Sequence, residues 1–180
     1  MTRSGIMTRL LPILFAAVLI GDQLTKQIAL RHLRPGISIP FLGDFVRWTL
    51  VYNPGGAFSM RLGSPIYHLI LSVVILVILL FYVVRHRRTP HIAIPLTIVA
   101  AGAVGNIIDR FRFGQVVDFI DCEFFDISLG FYQMDRWPIF NIADMSISCG
   151  IVATIILMYY HGRKTKLDGG EPNPDLPDQP

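Results

Sequence analysis

The chain has 180 residues, of which 52% are hydrophobic and 16% charged, with a formal net charge of +3 and a mean hydropathy of +0.51. Soluble domains carry about 25% charged residues, so this chain is too poor in charge to cover an ordinary water-facing surface and is read as an integral membrane protein. The two cysteines and five histidines lack metal-ligand spacing, and neither a glycine-rich phosphate loop nor a nucleic-acid motif is present.

A membrane-spanning helix needs about 20 mostly apolar residues. Four segments come close to that length: roughly Met7 to Leu30, Ile66 to Val84, Ile92 to Ile108 and Ile139 to Tyr160. The first resembles a secretory signal, because Arg3 and Arg9 precede the apolar run Leu10 to Ile20. No small-x-small cleavage site follows it, and Asp22 to Leu30 continues as plausible helix, so it is read as a retained span. The next segment, about 31–65, is too long for a turn. Phe45 to Tyr52 is rich in Val, Trp, Thr and Tyr, and Asn53-Pro54-Gly55-Gly56 is a turn signal, which predicts a small β-platform. Phe41, Phe45, Trp48 and Tyr52 suit the headgroup zone.

The third span contains Pro95 and the run Ala100-Ala101-Gly102-Ala103-Val104-Gly105, which admits a close helix neighbour or a substrate-facing groove. The second long loop, about 109–140, is aromatic and serves as a lid or an interfacial anchor. After the fourth span, 162–180 is rich in proline and acid and is expected to be a disordered tail. The fold class is therefore all-α integral membrane, with four transmembrane helices in residues 1–161 and a small extracytoplasmic β-sheet platform.

With four spans, both termini lie on one side. Arg3, Arg9, Arg85, Arg87, Arg88, Arg163, Lys164 and Lys166 cluster there, whereas the other side holds as many basic residues among nine acids. That clustering favours cytoplasmic termini. Asp22 and Lys26, Asn53, Asn106 to Asp118, and Asn141 and Asp144 all fall at the opposite boundary. Asp22 and Lys26 are spaced i and i+4, and Asn106, Asp109 and Arg110 share one helical stripe. Plain readings stand beside the functional ones: an ion pair for Asp22 with Lys26, another for Asp109 with Arg110, and an N-cap for Asn141. Asp118 and Asp144, ionisable groups beside apolar sequence, are the leading functional candidates.

Asp22-Gln23-Leu24-Thr25-Lys26, Asn53-Pro54-Gly55-Gly56-Ala57-Phe58, Gly105-Asn106-Ile107-Ile108-Asp109-Arg110, Val116-Val117-Asp118-Phe119 and Phe140-Asn141-Ile142-Ala143-Asp144 together resemble the bacterial lipoprotein signal peptidase family, signal peptidase II. The likeness runs in order from about residue 10 to 160. It implies an inner-membrane aspartyl endopeptidase with a periplasmic platform, cutting diacylglyceryl-modified prolipoproteins on the N-terminal side of the lipidated cysteine. It also implies that Asp118 and Asp144 are the catalytic dyad and that Asn53, Gly56, Asn106, Arg110 and Asn141 bind substrate. Asp22, Lys26 and Asp109 would support the site. The stretch Cys122 to Trp137 looks longer than the family pattern and leaves the loop geometry open.

Two carboxyls at contact distance share a proton. The ionised member activates a water while the protonated one donates to the scissile carbonyl, so the chemistry needs no metal or cofactor. The expected partners are the prolipoprotein and membrane lipid, not nucleic acid, and the chain is expected to act as a monomer. A transporter would need a polar path that the second and fourth spans do not supply. A scaffold would not need either aspartate, and the Gly-x-Gly-Asp motif of other intramembrane aspartyl proteases does not occur. A reactive thiol at Cys122 or Cys149, or a disulfide between them, is a minor alternative, and the histidines are read as solvated residues at span ends.

Overall fold

The computed structural model describes residues 3–55, 65–123, 127–129, 132–134 and 136–167. Four helices carry the membrane-spanning lengths: α1 (Arg3–His32), α2 (Pro65–Arg85), α3 (Pro90–Phe113) and α4 (Ile142–Leu167). Five strands accompany them: β1 (Ser38–Leu42), β2 (Val46–Asn53), β3 (Val116–Cys122), β4 (Ile127–Leu129) and β5 (Tyr132–Met134).

α3 is the axis of the bundle, since α1, α2 and α4 each pack on it. Its small-residue run explains why. A Cβ on Gly102 would stand 2.5 Å from the main-chain oxygen of Ala143 and 3.1 Å from Ile147, and one on Gly105 would strike the Asp22 carboxylate. From the other side, a Cβ on Gly150 of α4 would meet Val99 at 2.5 Å and the Pro95 oxygen at 2.9 Å. Of the two readings of the glycine–alanine run, helix packing against α1 and α4 is therefore what Gly102 and Gly105 serve. Pro90 opens α3, where a missing N–H leaves nothing unpaired. Gly114 closes it in the left-handed conformation at φ 69°, its N–H donating to the Arg110 oxygen at 2.9 Å.

At one end of the bundle lies an antiparallel sheet in the order β1-β2-β3. β1 and β2 form the hairpin expected in 31–65, turning at Gly43 with φ 58°. Its third strand comes from the second long loop, which was not expected to supply one: Val51 pairs with Asp118, Tyr52 with Val117 and Asn53 with Val116. β3 is buried along nearly its whole length, because α1 and α3 cover one side while residues 136–140 run back along its edge. There Phe140 exchanges hydrogen bonds with Ile120 at 2.8 and 3.0 Å, and the Trp137 N–H donates to the Cys122 oxygen at 3.0 Å. Of the four aromatics expected in the headgroup zone, Phe41, Phe45 and Tyr52 are exposed on the hairpin, whereas Trp48 is half-buried with its ring centroid 5.1 Å from that of Phe41. Of the long loop's other aromatics, Trp137 is partly exposed, while Phe124, Phe125 and Phe131 lie outside the described residues.

Three boundaries differ from expectation. α3 runs on through Phe113, past the expected end at Ile108, so Asp109 and Arg110 share one helix with Asn106, as their spacing on a single stripe required. α4 begins at Ile142, because Trp137 and Phe140 are hydrogen-bonded to β3. It also continues to Leu167, past the expected start of the tail; residues 168–180 lie outside the described part.

Gly102→Ala forces backbone apart and should destabilise the protein by about 1–3 kcal/mol. Gly21→Ala, where nothing stands within 4 Å, should be neutral or slightly stabilising. Thermal unfolding in detergent micelles compares the two.

Candidate functional site

The centre of the site is a buried cation. Lys26 of α1 is 1% exposed, and its Nζ lies 3.0 Å from Asp22 Oδ2 and 2.8 Å from Asp109 Oδ2. It also donates to Asn106 Oδ1 at 2.9 Å. The i,i+4 pairing of Asp22 with Lys26 is as the spacing suggested, whereas Asp109 pairs across to α1 and not with Arg110. Two carboxylates thus flank one ammonium, a neutralisation that burial makes necessary.

Each acid of this trio also holds backbone. Asp22 Oδ1 accepts the Ala143 N–H at 2.9 Å, tying α1 to the first turn of α4. Asp109 Oδ2 accepts the Val117 N–H at 3.1 Å, tying α3 to the strand that carries Asp118. Gln23, which sequence reasoning passed over, donates within 3.1–3.3 Å to Asp22 Oδ2, the Gly105 oxygen and Asp109 Oδ1.

Asn106 is oriented by these contacts. Its Oδ1 accepts from Lys26 and, at 3.1 Å, from Asn141 Nδ2, which leaves its Nδ2 to donate to Asp144 Oδ1 at 2.8 Å. Asn141 joins the two aspartates. Its Nδ2 donates to Asp118 Oδ1 at 2.7 Å and to the Val117 oxygen at 3.2 Å, while its backbone N–H donates to Asp144 Oδ2 at 3.2 Å. In return the Asp144 N–H donates to Asn141 Oδ1 at 2.9 Å. That reciprocal pair, at the N-cap and third residue of α4, is a capping box. The plain reading of Asn141 as an N-cap and its place in the site are thus one arrangement.

Asn53 Nδ2 donates to the remaining oxygen of Asp118 at 3.1 Å, and Asn53 Oδ1 accepts the Gly55 N–H at 3.0 Å. Arg110 reaches the main-chain oxygens of Gly55 and Asn106 at 3.3 and 3.4 Å, fastening the end of β2 over the site. Gly56 lies outside the described residues. Asp118 is 1% exposed, and burial, reinforced by the charge of Asp144, pushes its carboxyl up to about 7. The hydrogen bonds from Asn53 and Asn141 work against that rise. Asp144 is less enclosed.

A second polar cluster braces the platform. Arg136 Nε pairs with Asp121 Oδ1 at 2.7 Å, and its Nη1 donates to the Asp44 oxygen at 3.0 Å. Thr49 Oγ1 donates to Asp121 Oδ2 at 2.8 Å. Cys122 and Cys149 are both free, one buried and one exposed, and burial raises the Cys122 thiol, with the Asp121 charge adding to the effect. No group of three metal-ligating side chains occurs among the described residues. Two histidines depart from the solvated setting expected of them. His68 is buried, and His91 stacks on His161 with ring centroids 4.0 Å apart where α3 begins and α4 ends.

The family model described as "Signal peptidase (SPase) II" matches residues 14–160. The lipoprotein signal peptidase of Chlorobium phaeobacteroides is 36% identical over 81% of this chain and 92% of that protein. That of Syntrophus aciditrophicus is 38% identical over 78% and 86%. Among solved structures, a bacterial membrane enzyme determined by the in meso method superposes with a TM-score of 0.75 at 29% identity, covering 91% of this chain and 93% of the other.

Removing one charge from the trio isolates the others. Lys26→Met leaves two buried carboxylates without their cation and should cost about 3–5 kcal/mol. Adding Asp22→Asn and Asp109→Asn should recover part of that loss, which a double- and triple-mutant comparison of thermal unfolding measures.

Proposed function

Because this chain belongs to the signal peptidase II family, we propose that it works as an aspartyl endopeptidase in which Asp118 and Asp144 are the catalytic pair. The observation that carries the reading is the single side chain of Asn141, bonded to Asp118 through its amide and capping the helix turn that holds Asp144. Side chains from a β-strand and a transmembrane helix, far apart in sequence, meet there where the bundle ends and the sheet begins.

The chemistry follows from the two environments. Asp118, enclosed and with its pKa near 7, holds the shared proton and donates it to the scissile carbonyl oxygen. Asp144, more open and at the N-terminal turn of α4, takes a proton from the attacking water. The developing oxyanion is thereby neutralised at once; as the intermediate collapses, Asp144 passes its proton to the leaving amine and Asp118 takes one back from the diol, which restores the pair. Asn53 and Arg110, anchored under the end of β2, face the peptide with donors for its backbone carbonyls. Gly56, next to Gly55 in the sequence, is assigned to close approach of the substrate backbone.

The substrate is a prolipoprotein whose cysteine already carries diacylglycerol, cut on the N-terminal side of that cysteine. The site lies where the helices end beneath an exposed aromatic hairpin, so the acyl chains stay in lipid while the peptide is cut at the boundary. On this reading the sheet faces the extracytoplasmic side, both termini face the cytoplasm, the chain acts as a monomer, and no metal or cofactor takes part. Asp22, Lys26 and Asp109 are positioning residues, acting through Asn106, Ala143 and Val117.

Asp118→Asn and Asp144→Asn should each lower kcat by at least about a thousandfold on a diacylglyceryl prolipoprotein in micelles, with the fold retained. Cleavage at wild-type rate by either variant would end the aspartyl reading.

The pH dependence has a definite sign. Asp118 titrates near 7 in the folded protein against 3.8 for a free aspartate, so kcat/KM should fall as pH rises past about 7 and the dyad loses its last proton. Asn53→Ala removes a bond that favours the ionised form, so this limb should move to higher pH. The same shift makes an ionised Asp118 a liability to the fold. Asp118→Asn should melt several degrees above wild type at pH 8, and the gap should narrow as pH falls through about 7 and close only below the free value of 3.8, where both states keep the proton.

A further inference from the structure

His68 stands on the inner stripe of α2 together with Leu69, Ser72, Leu76, Leu79 and Val83, the least exposed positions of that helix. It is 9% exposed, yet neither ring nitrogen has a hydrogen-bond partner among the described residues. A buried polar group in that state calls for a partner supplied from elsewhere.

Its direction is fixed by the helix wheel. Leu69, Ile70, Val73 and Val74 meet α3 around a hollow of about 540 Å³ on one flank of the α2–α3 contact, against Ile107, Ile108 and Phe111. His68 is turned about 100° back from Leu69, toward the other flank, where Asn106 and Arg110 of α3 stand. α4 packs on α3 from that same side, through Gly102 and Val99, whereas α2 joins the bundle through α3. By this projection His68 stands on the side of α2 turned toward α4, the side on which Asn106 holds Asp144, with both of its ring nitrogens buried.

A second, apolar hollow of about 290 Å³ lies further down the His68 flank, lined by Ile75, Ile78, Leu79, Tyr82 and Leu96. At about 1.5 Å per residue, Ile75 and Tyr82 stand roughly 10 and 20 Å below His68. That is the reach of a fatty acyl chain whose ester sits at the level of the imidazole.

We infer that His68 contacts the diacylglyceryl group of the substrate, donating a hydrogen bond to a glyceride ester carbonyl while the acyl chain runs down the α2 flank; this rests on the substrate class proposed above. An imidazole offers a donor in either protonation state, and an ester carbonyl is an acceptor that brings no charge beside the buried ring. The contact selects the substrate and takes no part in bond cleavage.

The full-length enzyme in micelles is given two prolipoprotein peptides that differ only in ester-linked or ether-linked chains. Wild type should favour the ester substrate. His68→Leu should lose about 5- to 10-fold in kcat/KM on the ester peptide, mainly through KM, with little change on the ether peptide and no drop in melting temperature. His68→Gln, which retains a donor, should recover part of the ester preference, and it carries the test if the leucine variant does not fold. Equal losses on both peptides, or none on either, would overturn the inference. So would competitive inhibition by added phosphatidylglycerol that vanishes in His68→Leu, which would assign the imidazole to bulk lipid. Wild type cutting neither peptide, or Asp118→Asn cutting both, would remove the peptidase reading itself and the inference with it. Those results differ from a loss of ester discrimination in an active enzyme.

Discussion

An ammonium group held out of water at the edge of a bilayer is the constraint from which the rest of this structure follows. Lys26 is tolerated there because Asp22 and Asp109 neutralise it and Asn106 accepts its remaining hydrogen bond. Burying such an ion without good geometry would cost several kcal/mol. That geometry in turn demands that α1, α3, α4 and β3 meet at one height. Gly105 provides the room, since any side chain there would strike the Asp22 carboxylate. The glycine, the lysine and the acids form one packing unit.

From that unit the amides distribute order to the two aspartates. Lys26 fixes which end of the Asn106 amide faces Asp144, and Asn106 fixes which end of the Asn141 amide faces Asp118. A carboxamide cannot reverse without turning a donor toward a donor. The polarity of each amide therefore propagates from the lysine outward, and both carboxyls receive donors without any direct charge partner among the described residues. Asp118, enclosed and held by amides with no ion pair of its own among the described residues, keeps its proton to a higher pH than an aspartate in an ion pair.

Much of this was legible in the residues alone. Four spans, the i,i+4 pairing of Asp22 with Lys26, the capping position of Asn141 and the hairpin around Phe45 to Tyr52 all follow from local spacing, and local spacing decides them. β3 escaped notice because Val116 to Cys122 is buried on both faces, so the alternation that marks a half-exposed strand is absent. Gln23 looked like one more polar residue at a helix end, since its three acceptors come from three separate positions. His68 looked like an interfacial histidine for a related reason: the helix face on which it is buried depends on where α3 lies. What spacing could not supply was the partner of Asp109, which the nearer Arg110 obscured.

The capping box at the start of α4 has a consequence for how such a protein can change. Asn141 is at once the stop that defines where α4 begins and the link between Asp118 and Asp144. A variant that moved the helix start by one residue would rotate Asp144 by about 100° and withdraw it from its neighbour. Helix register and the pairing of the two aspartates are therefore inherited as a single trait, and drift in the loop before Phe140 is free only so long as it delivers the chain to the same first turn.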